Sequence, residues 1–127
     1  MTENEIAREI VDAAYKIHTT LGPGLLESVY EAVMAEEISR RELLTVRQQA
    51  IPVVYESIHP EVGFRADLIV EGKVIIEIKS VERIAPVHKK QLLTYLRLTD
   101  KRFGILINFD VELIKDGITR VVNRLEA

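Results

Sequence analysis

Residues 74–79 read Val-Ile-Ile-Glu-Ile-Lys, and this stretch decides the fold. The run is predicted to be a buried strand, although it carries a carboxylate and an amine two residues apart. Because strand side chains alternate, Glu77 and Lys79 point to one face, and Ile76 and Ile78 point to the other. Burying charge without a partner is unfavourable, so charged residues in this strand indicate a site.

A preceding strand carries another carboxylate, Asp67, ten residues before Glu77. The two strands are joined at Glu71-Gly72-Lys73. If this loop has three residues, Val70 pairs with Val74, and Asp67 lies opposite Glu77 on the same face. A two-residue loop would place the two acids on opposite faces. The glycine is compatible with a bulged three-residue turn without requiring it, and only this register makes a site.

Two carboxylates directly opposite each other in a sheet repel, and a divalent cation between them would remove that repulsion. Mg²⁺ prefers hard oxygen ligands and retains several waters. It can polarise a phosphate and lower the pKa of a bound water, and Lys79 beside it would hold the nucleophilic water or stabilise developing charge. Asp67, Glu77 and Lys79 therefore predict a metal-dependent phosphodiesterase. A solvated sheet face with a Glu–Lys pair is the alternative explanation.

Further candidate residues lie on predicted helices. Glu27 follows Gly-Pro-Gly in the first turn of the second helix, where the helix dipole alone would favour an acid. Gln91 and Tyr95 are four residues apart and share one face of the third helix. They could offer an amide and a phenol to a phosphate or a base, or Tyr95 could simply be core. The histidines form no ligand cluster in the sequence: His18, His59 and His88.

The composition indicates one compact soluble domain spanning residues 1–127, with 47% hydrophobic residues and no cysteine. Disulfides, thiolate metal sites and cysteine nucleophiles are therefore excluded. The net charge of −3 does not favour nucleic acid, although carboxylates reserved for a metal count as negative. No apolar run approaches the roughly 20 residues of a membrane span, and the polar N-terminus is unlike a signal peptide. We therefore expect a cytoplasmic protein with no membrane partner.

Hydrophobic periodicity predicts the order ααβββαβββ, an α/β (α+β) domain with a mixed sheet. A helix-capping box at Thr2 and Glu5 begins the first helix. Apolar residues Leu26, Val29 and Tyr30 are expected to form part of the buried stripe of the second. Lys115-Asp116-Gly117 is a hairpin signal. The predicted helices are 6–21, 25–41 and 85–98, and the predicted strands are 44–55, 63–70, 73–80, 102–108, 111–114 and 118–122.

The stretch Gly24-Leu-Leu-Glu27-Ser-Val-Tyr30 resembles the signature of the GxxExxY proteins, small members of the PD-(D/E)xK nuclease superfamily. Together with the acids and Lys79, the resemblance covers roughly residues 5 to 125. It implies a restriction-endonuclease-like core, a mixed sheet flanked by helices. The proline of the superfamily's name is absent, since Ala66 precedes Asp67.

The resemblance also assigns roles to individual residues. It implies an active site of Glu27, Asp67, Glu77 and Lys79, with the backbone carbonyl of Ile78 completing the metal shell. The Gln-x-x-x-Tyr helix is similar to that of the RecB-like and phage exonuclease branch, which implies substrate-binding roles for its two members: Gln91 and Tyr95.

The leading hypothesis is a Mg²⁺-dependent nuclease, with Mn²⁺ as a substitute, that hydrolyses DNA phosphodiester bonds. Two alternatives remain open: a non-catalytic protein that binds nucleic acid or a partner on a nuclease fold, and an RNA-directed hydrolase. Thermal stabilisation by metal would favour an enzyme, and parallel assays on DNA and RNA would separate the substrates. A homo-oligomer is compatible with the sequence.

Overall fold

Five strands form one mixed sheet in the computed structural model, which describes residues 1–60 and 63–124. The strand order is β1-β2-β3-β4-β5. β3 and β4 are parallel and are connected through helix α3, whereas the other neighbours are antiparallel. The elements in chain order are α1 (Glu3–Leu21), α2 (Glu27–Arg40), β1 (Thr45–Ile51), β2 (Phe64–Val70), β3 (Val74–Lys79), α3 (Pro86–Thr99), β4 (Phe103–Asn108), a 3-10 turn (Ile114–Gly117) and β5 (Ile118–Val122).

Helices cover both faces of the sheet. On one face, Leu68, Ile76 and Ile105 pack with buried residues of α1 and α2. On the other face, Ile75 and Leu106 pack against α3. β3 and β4 are each paired on both sides, which explains why their sequences are nearly continuous runs of apolar residues. The predicted fold class is confirmed, an α+β fold with a mixed sheet flanked by helices.

The hairpin that joins β2 and β3 has the register on which the predicted site depends. Val70 pairs with Val74, as the three-residue loop requires. Glu71 and Gly72 have φ values of +53° and +64°, a left-handed pair in which the glycine carries no steric penalty. The pairing ends at Leu68 and Ile76, and Asp67 and Glu77 are the next residues along the two strands.

The helical prediction is confirmed in its elements and is wrong in one detail. Thr2 and Glu5 form the predicted capping box at the start of α1. In α2, Tyr30 is buried, but Leu26 is 73% exposed and Val29 is half-exposed. α2 begins only at Glu27, so Leu26 is its N-cap and precedes the helix. No helix among the described residues combines the length and apolar character needed to cross a bilayer.

The predicted strand at residues 111–114 is wrong. This segment bends, and a 3-10 turn follows it, Ile114–Gly117, with Ile114 buried in the core. His18 Nε2 lies 2.8 Å from the carbonyl oxygen of Val111, a hydrogen bond that ties the bend to α1. β5 therefore pairs with β4 rather than with the preceding segment. The observed order is ααβββαββ, because Lys115-Asp116-Gly117 lies in a turn that leads into one strand, β5, and does not join two paired strands.

Candidate active site

Asp67 lies at an interruption in the pairing of β1 with β2. Arg47 pairs with Leu68, and Gln49 pairs with Ala66. Gln48 and Asp67 are the residues left between these two pairs. Gln48 has φ +49°, a left-handed conformation that non-glycine residues rarely adopt. The regular pairing of β1 with β2 is therefore interrupted at Gln48 and Asp67.

The alternation of β2 slips at the same position. Leu68 and Val70 pack in the core beneath α1 and α2, whereas Ile69 packs on the α3 side. Strict alternation would place Ala66 on the same face as Leu68, yet Ala66 also packs on the α3 side. Asp67 thus stands between two segments of opposite phase, and it both contacts Glu77 of β3 and lines a cavity that it shares with Glu27 of α2.

Asp67 and Glu77 interact at the centre of the site. Asp67 Oδ2 accepts a 2.8 Å hydrogen bond from the backbone N–H of Ile78. Glu77 is only 8% exposed, and its Oε1 is buried with no hydrogen-bond partner. Burial, followed by the charge of Asp67 and a hydrogen bond with it, raises the pKa of Glu77 from 4.5 to about 9, and nearby Lys79 acts in the opposite direction. Without a cation, Glu77 therefore holds a proton at neutral pH.

A small cavity between β3 and α3 brings together four predicted site residues. It has a volume of about 30 Å³ and is lined by Glu77, Lys79, Gln91 and Tyr95, together with His88. The shared cavity confirms the predicted alternation of β3 and the shared face of α3. Burial, with the charges of the two acids, also raises the pKa of the Tyr95 phenol.

The members of α3 are held rigidly at this cavity. The Tyr95 ring stacks on Phe64 with a centroid distance of 3.6 Å and an angle of 9°. His88 Nδ1 accepts a 3.1 Å hydrogen bond from the backbone N–H of Ala85, at the start of α3. The stacking packs the middle of α3 against β2, whereas the hydrogen bond of His88 caps the first turn of the helix.

Glu27 approaches Asp67 from the other side. A cavity of about 420 Å³ is lined by Glu27, Gln48, Asp67 and Ile78, with Ser28 and Glu31. Glu27 is exposed and begins α2. The structure therefore brings Glu27 to the same acid as Glu77 but from the opposite face of the sheet.

The loop that presents Glu27 is tied down by Tyr30. The buried Tyr30 hydroxyl donates to the carbonyl of Gly22 at 2.6 Å and accepts from the N–H of Leu25 at 3.1 Å. The Ser80 hydroxyl donates to the Leu25 carbonyl at 2.6 Å, which connects the loop to the end of β3. Gly24 has φ +98°, a conformation that favours glycine. Tyr30 and Ser80 thus hold the loop that contains Gly24 and leads to Glu27.

The chain matches the family model described as the PD-(D/E)XK nuclease superfamily over residues 4–121. The chain belongs to the PD-(D/E)XK nuclease superfamily. No curated protein and no solved structure matches it. In this superfamily member, Asp67 lies on β2, and Glu77 and Lys79 lie on β3, the two strands of one hairpin.

The residues of this superfamily member fit a hard divalent cation. Asp67 and Glu77 offer adjacent carboxylates, and the Oε1 of Glu77 is a buried oxygen without a hydrogen-bond partner, to which a cation could bind. Among residues 1–60 and 63–124, no three Asp, Glu or His side chains form a group that could by itself hold a metal ion. An ion here would rely on two carboxylates with water and a backbone oxygen, which suits Mg²⁺ because Mg²⁺ keeps several waters.

Two residues of the site escaped the sequence analysis, Glu31 and Gln48. Glu31 is four residues after Glu27, so the helical period places both on one face of α2, and this spacing was a usable signal. Gln48 gave no signal, because a left-handed glutamine within a strand cannot be distinguished in sequence from an ordinary strand residue.

Proposed function

We propose that the protein is a Mg²⁺-dependent nuclease that hydrolyses DNA phosphodiester bonds, with Mn²⁺ as a substitute. One observation carries the proposal: a buried carboxylate, Glu77, with an unpartnered oxygen, lies beside Asp67 and near Lys79. A structural acid would be expected to have both oxygens satisfied. A carboxyl that stays protonated until a cation displaces the proton is instead expected of a metal ligand.

Asp67, Glu77 and the backbone carbonyl of Ile78 would hold the ion directly, and Glu27 would complete its ligands through a bound water. When bound, the ion supplies a Lewis acid to the phosphate and lowers the pKa of its water. Asp67 contributes because its carboxylate contacts Glu77 and lines the cavity of Glu27. Glu27 contributes from the larger cavity that it shares with Asp67 and Ile78.

Lys79 would act on the attacking water or on the charge that develops on the phosphate. Lys79 lines the same cavity as Glu77, and a cation aimed at developing negative charge stabilises the transition state. Gln91 and Tyr95 line this cavity as well and would hold the nucleic acid strand. Exposed basic residues nearby would contact its phosphates: Arg83, Lys89 and Lys90.

Within the superfamily we assign the chain to the GxxExxY proteins and to the RecB-like branch. The first assignment is supported by Tyr30, whose hydroxyl bonds Gly22 and Leu25 and so holds the loop that contains Gly24 and leads to Glu27. The second is supported by Gln91 and Tyr95, which face the cavity of Glu77.

Cleavage assays on single-stranded DNA, double-stranded DNA and RNA test the proposal. Activity should require Mg²⁺ or Mn²⁺, disappear in EDTA and return when metal is restored. Lys79→Ala should lower the rate by about 10²-fold or more while metal binding persists. Lys115→Ala removes a lysine from the exposed turn before β5 and should cleave at the wild-type rate. Equal cleavage by wild type and Lys79→Ala would contradict the proposed role of Lys79, and cleavage of RNA alone would transfer the proposal to that substrate.

A further inference from the structure

We infer that Gln48 is a positioning residue for the metal-binding carboxylate of Asp67, anchored in turn by the buried acid Glu31. This inference rests on the proposed function, since it concerns the same site. It adds two residues that are not among the acids and lysine named for the superfamily, and it assigns them the task of holding Asp67 ready for an ion.

Glu31 is a buried carboxylate whose oxygens are both occupied. It is 8% exposed. Its Oε2 accepts from Arg47 Nη2 at 3.0 Å, and its Oε1 accepts from Gln48 Nε2. A buried carboxylate is tolerated when a cation and hydrogen bonds satisfy it. Arg47 supplies the positive charge that balances Glu31, and Gln48 supplies the second hydrogen bond to the same carboxylate.

The left-handed backbone at Gln48 makes this arrangement possible. Consecutive side chains of a regular strand point to opposite faces, yet Arg47 and Gln48 both reach Glu31. The φ of +49° at Gln48 breaks the alternation and turns its amide toward α2. Strained backbone in a non-glycine residue collects at functional sites, where the surrounding structure maintains it.

The same amide nitrogen also contacts Asp67. Gln48 Nε2 lies 3.3 Å from Asp67 Oδ1, and the N–H of Ile78 donates to Asp67 Oδ2 at 2.8 Å. A glutamine NH₂ has two hydrogens, so one nitrogen can donate to Glu31 and to Asp67 at once. Each oxygen of Asp67 then accepts one hydrogen bond from an N–H group, which fixes the rotation of the carboxylate, and an ion would take the place of the hydrogen bond between Asp67 and Glu77.

Residues that orient a metal ligand typically alter metal affinity about 10- to 100-fold when removed. Gln48→Ala should therefore weaken Mn²⁺ binding by roughly this factor, measured by calorimetry without nucleic acid. Because alanine keeps the left-handed strain and leaves Glu31 Oε1 without its hydrogen bond, the melting temperature in EDTA should fall. Gln48→Gly removes the same amide but suits the positive φ. It should bind Mn²⁺ as weakly as the alanine variant while unfolding at a higher temperature than that variant in EDTA.

Gln49→Ala is the matched control, since Gln49 is the exposed neighbour in β1 and lines a different cavity. It should bind Mn²⁺ as the wild type does. If both Gln48 variants bind Mn²⁺ with wild-type affinity, the positioning role is overturned and the proposed metal site stands. If the wild type itself binds no Mn²⁺, the proposed function is overturned, and this inference with it. Equally weak Mn²⁺ binding in both Gln48 variants, with Gln48→Gly the more stable of the two, would support positioning, because a merely structural role would make affinity follow stability.

Discussion

Replacing Glu77 by glutamine should remove a pH dependence of stability that is specific to the metal-free protein. Burial and the neighbouring Asp67 raise the pKa of Glu77 from 4.5 to about 9. In the unfolded chain this carboxyl returns to its ordinary range. Between these two values, the folded protein holds a proton on Glu77 that the unfolded protein has released.

The sign follows from the difference in bound protons. Where the folded state binds more protons than the unfolded state, stability falls as the pH rises. One such proton corresponds to about 1.4 kcal/mol per pH unit. From pH 6 to pH 8, Glu77 should therefore lower the free energy of unfolding by up to about 3 kcal/mol. The Glu77→Gln variant resembles the protonated acid and does not titrate, so it should lack this decline.

Urea unfolding in EDTA at pH 6, 7 and 8 measures the effect. The stability of wild type minus that of Glu77→Gln should become less favourable with rising pH, and this difference cancels the titration of other groups. Glu82→Gln, at an exposed acid in the loop after β3, is the control and should track the wild type. A wild-type minus Glu77→Gln difference that stays constant from pH 6 to pH 8 would show that Glu77 is ionised in the metal-free protein and would refute the reasoning.

Three further substitutions test other parts of the site. Tyr30→Phe removes the hydroxyl that bonds Gly22 and Leu25, so it should lower the free energy of unfolding in urea by about 1–3 kcal/mol. It should also weaken Mn²⁺ binding through the Glu27 loop, and an unchanged Mn²⁺ affinity would separate the loop from the metal site. Asn108→Ala removes a 2% exposed amide that bonds both the N–H and the carbonyl of Val81, in the loop after β3. The free energy of unfolding in urea should fall by about 2 kcal/mol, and a fall below about 0.5 kcal/mol would show that this amide does not hold the loop. Tyr95→Phe retains the ring stacking and should raise KM for DNA with little change in metal affinity; a fall in metal affinity would place the phenol at the ion instead.

Much of the fold could be predicted because local patterns and tertiary structure agree. The capping box at Thr2, the apolar run of β4 and the three-residue hairpin loop each have a local physical cause, and each is found in the structure. The strand predicted at residues 111–114 failed because Ile114 is buried in the core shared with α1 and not by strand pairing, while Leu113 is exposed. Periodicity reports that a residue is buried and does not identify the element that buries it.

The candidate site was predictable only in part, for a related reason. Alternation correctly placed Glu77 and Lys79 on one face, since β3 is regular. Alternation alone could not describe Asp67, because the strand carrying it slips in phase at that residue. The slip coincides with a left-handed backbone at Gln48 on the neighbouring strand, distant in sequence. Neither residue type nor local pattern encodes that conformation, so Gln48 and its partner Glu31 become visible only in the folded chain.

The phase slip also explains how one sheet can assemble ligands from two faces. A residue in a regular strand serves one face, so Glu77, on the α3 side, and Glu27, on the α2 side, could not share an ion with the same strand residue. Asp67 meets both because the alternation on either side of it has opposite phase. A strained conformation at Gln48 accompanies this slip, and the Gln48 amide holds the carboxylate of Asp67. Backbone strain on β1 is thus linked to the placement of Asp67, which contacts Glu77 and shares a cavity with Glu27, so that an ion could draw its ligands from them directly and through water.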